Sequence, residues 1–166
     1  TSYDANGNQT LFYEYYWDTG EEKWVNNSKI ESEYDSTGYQ TIEIRFNWDK
    51  EKNLWVNTYK TESTHDGNQV ISINYHWNTD TYLWDFVSKY EHAYDVNGRL
   101  TLEAHYRWNA INNVWQGDYS GKNEYAYDDN GYRTLYAHYN YWNNETNSWI
   151  GSYKSEDVYD ANGITT

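Results

Sequence analysis

The chain has 166 residues, with 26 acidic side chains against 12 Lys and Arg and a formal charge of −14. So few basic groups exclude nucleic acid and an anionic membrane surface as partners, since both are bound through basic patches. No stretch approaches the roughly 18 apolar residues that cross a bilayer, so no membrane insertion is expected. Leu, Ile, Val and Phe total only 24 residues, which at this charge normally predicts disorder, but 10 Trp and 21 Tyr reverse that expectation. Each aromatic side chain can bury about 150–250 Å², enough to replace the missing aliphatics. Cys, Met and Pro are absent, so there is no disulfide framework and no metal–thiolate site. The lack of oxidisable Cys and Met suits an extracellular or cell-surface location.

The tryptophans fall into five pairs: Trp17 and Trp24, Trp48 and Trp55, Trp77 and Trp84, Trp108 and Trp115, and Trp142 and Trp149. Six residues separate the partners in every pair, and successive first tryptophans are 31, 29, 31 and 34 residues apart. The chain is therefore a five-fold tandem repeat of about 31 residues per unit, a period at which each unit packs mainly on its neighbours. A single array over 1–166 is expected, with units at about 3–33, 34–64, 65–93, 94–126 and 127–158 and a partial sixth at 159–166. The chain begins inside one turn motif and stops just after another, which reads as a mature product or an excised piece of a longer array.

Each unit opens on a turn of the type Tyr34-Asp35-Ser36-Thr37-Gly38. Its Asp and Gly recur as Asp4 and Gly7, Asp35 and Gly38, Asp95 and Gly98, Asp128 and Gly131, and Asp160 and Gly163, with a shortened copy at Asp66 and Gly67. Asp opens a type I turn by accepting from the backbone two residues on, and Gly supplies the left-handed bulge residue of a hairpin. Strand A follows. In Thr41–Trp48, Ile42, Ile44, Phe46 and Trp48 alternate with Glu43, Arg45 and Asn47, the period of a half-buried strand. The third and fourth units repeat this, whereas the fifth has one extra residue before Trp142, which predicts a β-bulge.

A six-residue loop then opens on Asp18, Asp49, Asn78, Asn109 or Asn143, an Asx residue that nucleates the turn. Strand B runs from the second tryptophan and carries Lys-x-Glu in every unit: Lys29 and Glu31, Lys60 and Glu62, Lys89 and Glu91, Lys122 and Glu124, Lys154 and Glu156. Simple alternation puts this pair opposite the second tryptophan, on a solvated face, as cross-strand ion pairs. All connections are too short for a crossover, so consecutive strands pair antiparallel. The fold class expected is all-β: an antiparallel meander of five two-stranded repeats, as a curled open sheet or a solenoid-like array in preference to a closed barrel.

The turn motifs, Tyr94-Asp95-Val96-Asn97-Gly98-Arg99-Leu100-Thr101 above all, resemble the YD-type (RHS-like) repeats of bacterial surface and toxin-shell proteins. Joined to the paired tryptophans, as over Tyr34 through Trp55, the pattern also resembles Trp- and Tyr-rich hairpin repeats of secreted Bacteroidetes proteins. The resemblance implies long antiparallel sheets, an extracellular location and a structural role. No site residues are carried over from it.

Catalysis is not expected. Glutamates recur once per unit instead of forming one distinguished pair, and no phosphate loop, nucleophile elbow or His–Glu metal motif occurs. His65, His76, His92, His105 and His138 read as structural or exposed, so no metal and no cofactor is expected. The acidic loops read as turn chemistry in place of calcium sites. The aromatic surplus remains. Trp24, Trp55, Trp84, Trp115 and Trp149 are candidate ligand-binding platforms for sugar rings, with Phe12, Tyr16, Tyr82, Tyr90 and Tyr136 as further outward candidates. The leading expectation is a non-enzymatic structural module of a fibre, stalk or surface layer, associating with itself or with neighbouring repeats through edge strands. The alternative is a carbohydrate-binding module.

Overall fold

The computed structural model describes residues 1–160 and 162–165; Ala161 and Thr166, both in the expected sixth unit, lie outside the described residues. The strands are β1 (Ser2–Tyr3), β2 (Gln9–Asp18), β3 (Lys23–Tyr34), β4 (Gln40–Asp49), β5 (Leu54–Asp66), β6 (Gln69–Asn78), β7 (Leu83–Tyr94), β8 (Leu100–Asn109), β9 (Val114–Tyr127), β10 (Arg133–Asn143) and β11 (Ser148–Glu156). Each neighbours the strands before and after it in sequence, from β1 to β11, so the sheet is an open antiparallel meander. No helix occurs among the described residues. One strand joins the expected ten: β1, which pairs Ser2 with Leu11 and Tyr3 with Gln9. The chain forms two compact units, one of residues 1–64 and 73–87, the other of residues 65–72 and 88–166.

The turns form as their residues dictate. Asp4 Oδ1 accepts from the backbone N–H groups of Asn6 and Asn8, both at 2.9 Å. Asp35, Asp95 and Asp160 accept in the same way from residues two and four further on. Gly7, Gly38, Gly98, Gly131 and Gly163 then take φ between 77° and 91°, where a side chain would be strained. In the shortened copy Gly67 (φ 57°) opens a two-residue turn with Asn68, the glycine-first pattern of a type II′ hairpin. At the other end of each hairpin the Asx oxygen caps two N–H groups, as Asp49 does with Glu51 at 3.0 Å and Lys52 at 2.9 Å. Asp18, Asn78, Asn109 and Asn143 do the same. These loops close through Glu22, Asn53, Tyr82, Asn113 and Asn147, all at φ between 49° and 57°. Asn tolerates that region; Glu22 and Tyr82 do not gain from it.

Bulges correct the expected placement of the Lys-x-Glu pairs. In β2–β3, Trp17 faces Trp24 and Tyr13 faces Lys29, with Asn27 left over as an extra residue. Tyr13 and Trp17 are four apart on β2 and share a face, so Lys29 lies on the tryptophan face and not opposite to it. Thr58 is the extra residue in β5 and brings Lys60 opposite Ile44. In β9 the segment Asp118–Gly121 opposes only His105 and brings Lys122 opposite Ala104. The bulge expected in the fifth unit is present: Asn140 is extra on β10, matched by Ser152 on β11. A bulge leaves a carbonyl without its ladder partner, and side chains fill the gap. Thr58 Oγ1 donates to the Arg45 carbonyl at 3.0 Å, and Ser152 Oγ to the His138 carbonyl at 3.1 Å.

Among the described residues there is neither a helix nor a second sheet to cover a face. Among the described residues the buried hydrophobic side chains are Val25, Tyr75, Ala104 and Ala137, and no large side chain is fully buried. The aromatics stabilise by covering one another along the sheet.

Tyr82 is 74% exposed at φ 56°. Tyr82→Asn relieves the left-handed strain and is expected to raise stability by about 0.5–1 kcal/mol, read as a higher urea midpoint at unchanged slope; an unchanged or lower midpoint contradicts the strain.

Candidate functional site

The tryptophan pairs meet across each hairpin. Trp17–Trp24, Trp48–Trp55, Trp77–Trp84, Trp108–Trp115 and Trp142–Trp149 are edge-to-face, with centroids 5.5, 5.0, 5.0, 5.1 and 5.3 Å apart. This is the arrangement that the ring quadrupoles favour. Trp24 is 67% exposed, whereas Trp55, Trp84, Trp115 and Trp149 are half-buried. Trp55 packs on Tyr13 at 5.9 Å and Trp149 on Tyr106 at 5.9 Å. Of the further outward candidates, Phe12, Tyr16 and Tyr82 are exposed and Tyr90 and Tyr136 half-buried.

Four lysines of the B strands lie over rings of this aromatic face, those of β3, β5 and β9 brought there by the bulges. Lys29 Nζ lies 3.9 Å over the Phe46 ring, Lys60 4.1 Å over Tyr75, Lys89 4.2 Å over Tyr106 and Lys122 4.3 Å over Tyr139. Three of these lysines also approach the next hairpin's second tryptophan: Lys29 to Trp55 at 5.6 Å, Lys60 to Trp84 at 5.5 Å and Lys89 to Trp115 at 5.9 Å. Each ammonium also meets the Glu two residues on along its own strand, at 2.6–2.7 Å. The ion pairs are thus along the strand and not across it. Where the facing ring is a tyrosine, its hydroxyl closes the triad: Tyr75 donates to Glu62 at 2.5 Å, Tyr106 to Glu91 at 3.1 Å and Tyr139 to Glu124 at 2.7 Å. Burial alone would raise the Glu62 and Glu124 carboxyls, but the bonds from Lys60 and Tyr75, and from Lys122 and Tyr139, hold both below the ordinary value. Burial, and then the Glu62 carboxylate, push the Tyr75 hydroxyl well above its usual value.

Lys60→Ala removes a ring contact and leaves Glu62 held by Tyr75 alone, so it is expected to cost about 1–2 kcal/mol. Lys154 has the same sequence position, but its side chain is 59% exposed and among the described residues its partner is Glu156. Lys154→Ala is expected to stay within about 0.5 kcal/mol in the same urea denaturation series. Equal losses at both sites would refute the role of the ring.

The depressed Glu62 and Glu124 values stabilise the fold above the unfolded carboxylate value of 4.5, and this is lost as pH falls through the lower folded values. The raised Tyr75 works at the other limit: its share is lost as pH rises above the tyrosine value of 10.0. Melting temperature followed against pH is expected to be flat between these limits. It falls below pH about 4.5, less steeply in Tyr75→Phe, which removes one of the bonds that depress Glu62.

The opposite face carries a second set of residues. His92 on β7 faces Glu103 on β8, Glu103 faces Asn123 on β9, Asn123 faces His138 on β10, and His138 faces Tyr153 on β11. His105 shares this face with Glu103. Its Nε2 is 3.3 Å from Glu103 Oε1, and His92 Nε2 lies 4.0 Å from the same oxygen. Asn123 Nδ2 donates to Glu103 Oε2 at 3.4 Å, and Asn123 Oδ1 meets His138 Nδ1 at 2.8 Å and the Tyr136 hydroxyl at 3.1 Å. Alternation alone places Glu103 and His105 together. That His92 and Asn123 join them depends on strand register, which no local signal in the sequence states.

No protein-family model matches the sequence, and no curated protein matches it either. A protein of unknown function from Bacteroides fragilis is similar in structure, with a TM-score of 0.62 and 19% identity over 71% of this chain and 86% of that one. This likeness is one of fold. Two DUF3836 family proteins are also matched. The one from Bacteroides vulgatus has a TM-score of 0.38 at 20% identity, over 48% of this chain and 92% of that one. The one from Parabacteroides distasonis has a TM-score of 0.41 at 17% identity, over 49% and 75%.

Proposed function

We propose that the chain is a non-enzymatic structural repeat module, extracellular or at the cell surface, that assembles edge to edge. The observation that carries this reading is the pair of incomplete triads at the two outer hairpins. Tyr15 stands two residues before Trp17, as Phe46, Tyr75 and Tyr106 stand before their tryptophans, yet it is 51% exposed and its ring contact is with Tyr13. Lys154 and Glu156 on β11 keep their ion pair at 2.6 Å with both side chains exposed. One edge thus offers the ring and the other offers the Lys–Glu pair. A β11 edge of one copy laid against the Tyr13–Trp17 stretch of β2 in another, beyond the Gln9–Leu11 stretch that β1 pairs, rebuilds the contact that Lys29 makes with Phe46 and Lys122 with Tyr139. Unpaired strand edges supply the backbone bonds for that addition. The extracellular placement rests on the absence of Cys and Met and on the resemblance of the turns to surface-protein repeats.

Electron microscopy of the purified chain across a concentration series tests this reading. Filaments or head-to-tail oligomers are expected, lost in Tyr15→Glu and in Lys154→Glu. Monodisperse single chains at every concentration would refute it.

The exposure of Trp24 favours a second reading, a glycan platform. It borders an open groove of about 360 Å³ lined also by Trp48, Lys50, Glu21 and Asn26. Glycan-dependent tryptophan fluorescence abolished by Trp24→Ala is the outcome that separates it from assembly.

A further inference from the structure

We propose that His92, Glu103 and His105 form a binding site for a zinc-type divalent transition-metal ion. One ligand atom from each residue lies within 4.8 Å of the other two. In a tetrahedral zinc site, ligand atoms about 2.0–2.2 Å from the metal stand about 3.4 Å apart. The His105–Glu103 pair, at 3.3 Å, already has that separation, and the His92–Glu103 pair, at 4.0 Å, needs only side-chain adjustment. The backbone supplies the preorganisation: His92 and Glu103 are directly opposed across β7 and β8, and His105 follows Glu103 on the same face.

Two imidazoles and one carboxylate are a donor set suited to zinc and the later first-row ions. The groups around it hold the ligands in place. Asn123 Nδ2 donates to Glu103 Oε2, orienting the carboxylate, and the Tyr90 ring packs against His105 with centroids 4.8 Å apart. All three ligands are half-buried, with side-chain exposures between 24% and 31%, so a fourth position is open to water.

The first compact unit contains the same scaffold with different chemistry. There Ser32 faces Glu43, the counterpart of Glu103, and Arg45 takes the place of His105. Arg45 Nε meets Glu43 Oε1 at 2.7 Å. The guanidinium therefore supplies at Glu43 the positive charge that a metal ion would supply at Glu103. This pair also defines substitutions that the fold already accepts elsewhere.

The test is titration of the chelator-treated full chain with zinc alone, followed by isothermal calorimetry, and with cobalt(II), followed by its visible absorption. Binding of one ion per chain is expected, with the intense visible bands of four-coordinate cobalt. His105→Arg and His92→Ser, each copying the residue of the first unit, are expected to weaken binding by well over a hundredfold, more than the about 10–100-fold typical of outer-shell changes. His76→Ala, on the other unit, is expected to bind as the unaltered chain does. Far-UV circular dichroism establishes that each variant is folded. Absence of saturable binding in the unaltered chain overturns the proposal, as does undiminished binding by the folded His105→Arg or His92→Ser protein.

Discussion

A lone β-sheet has no interior, so side chains cannot gain stability by meeting a second layer and must gain it from neighbours on the same face. That constraint accounts for the composition. Aliphatic side chains standing alone on a sheet would stay wet, whereas an indole or phenol ring spans the distance to the next strand and covers its neighbour. The edge-to-face tryptophan pairs occupy the loop end of each hairpin. Further along, a lysine stem lies under its own charge, which sits on the ring of the next strand and is neutralised by a glutamate on its own. The contact is amphipathic throughout and needs no dry core. Among the described residues no large side chain is fully buried.

The bulges decide what each face is made of. An odd spacing between the second tryptophan and lysine would put charge on one face and rings on the other in a regular strand. The extra residue at Asn27, Thr58 or Ser152 reverses the parity, so charge and rings share a face. The β9 version is longer and requires glycine. Gly121 has φ 82°, and a Cβ there would lie 2.5 Å from the Tyr139 carbonyl oxygen. These bulges recur at corresponding places, so they belong to the repeat and are not local defects.

With one face committed to holding the strands together, the other face is free to vary. Its positions carry Ser32, Glu43 and Arg45 in one compact unit and His92, Glu103 and His105 in the other. The backbone register is the same in both, and the chemistry differs because the ring and Lys–Glu contacts of the other face do not involve those side chains. The outer hairpins show the same logic from the other direction. Tyr15 and Lys154 keep the residue types of the repeat, and among the described residues Tyr15 packs on Tyr13 and Lys154 pairs with Glu156.

The sequence by itself determined the strands, their order and their turns, because these depend on local chemistry. Asp35 and Gly38 make a turn from their own backbone bonds, Asp49 caps its own loop, and the period-two pattern of Ile42, Ile44, Phe46 and Trp48 needs no partner to be read. The extra residue in β10 was legible too, since it broke an otherwise constant spacing. The tertiary structure alone decided the face of the Lys-x-Glu pairs, the burial of Trp55, Trp84, Trp115 and Trp149, and the convergence of His92 on Glu103. Each of these depends on the register between neighbouring strands, and a single bulged residue inverts every facing beyond it. The bulges of β3, β5 and β11 fall at the same place in their units, so they leave the spacing from the second tryptophan to the lysine unchanged and give no local sign of their presence; only the longer bulge of β9 alters it.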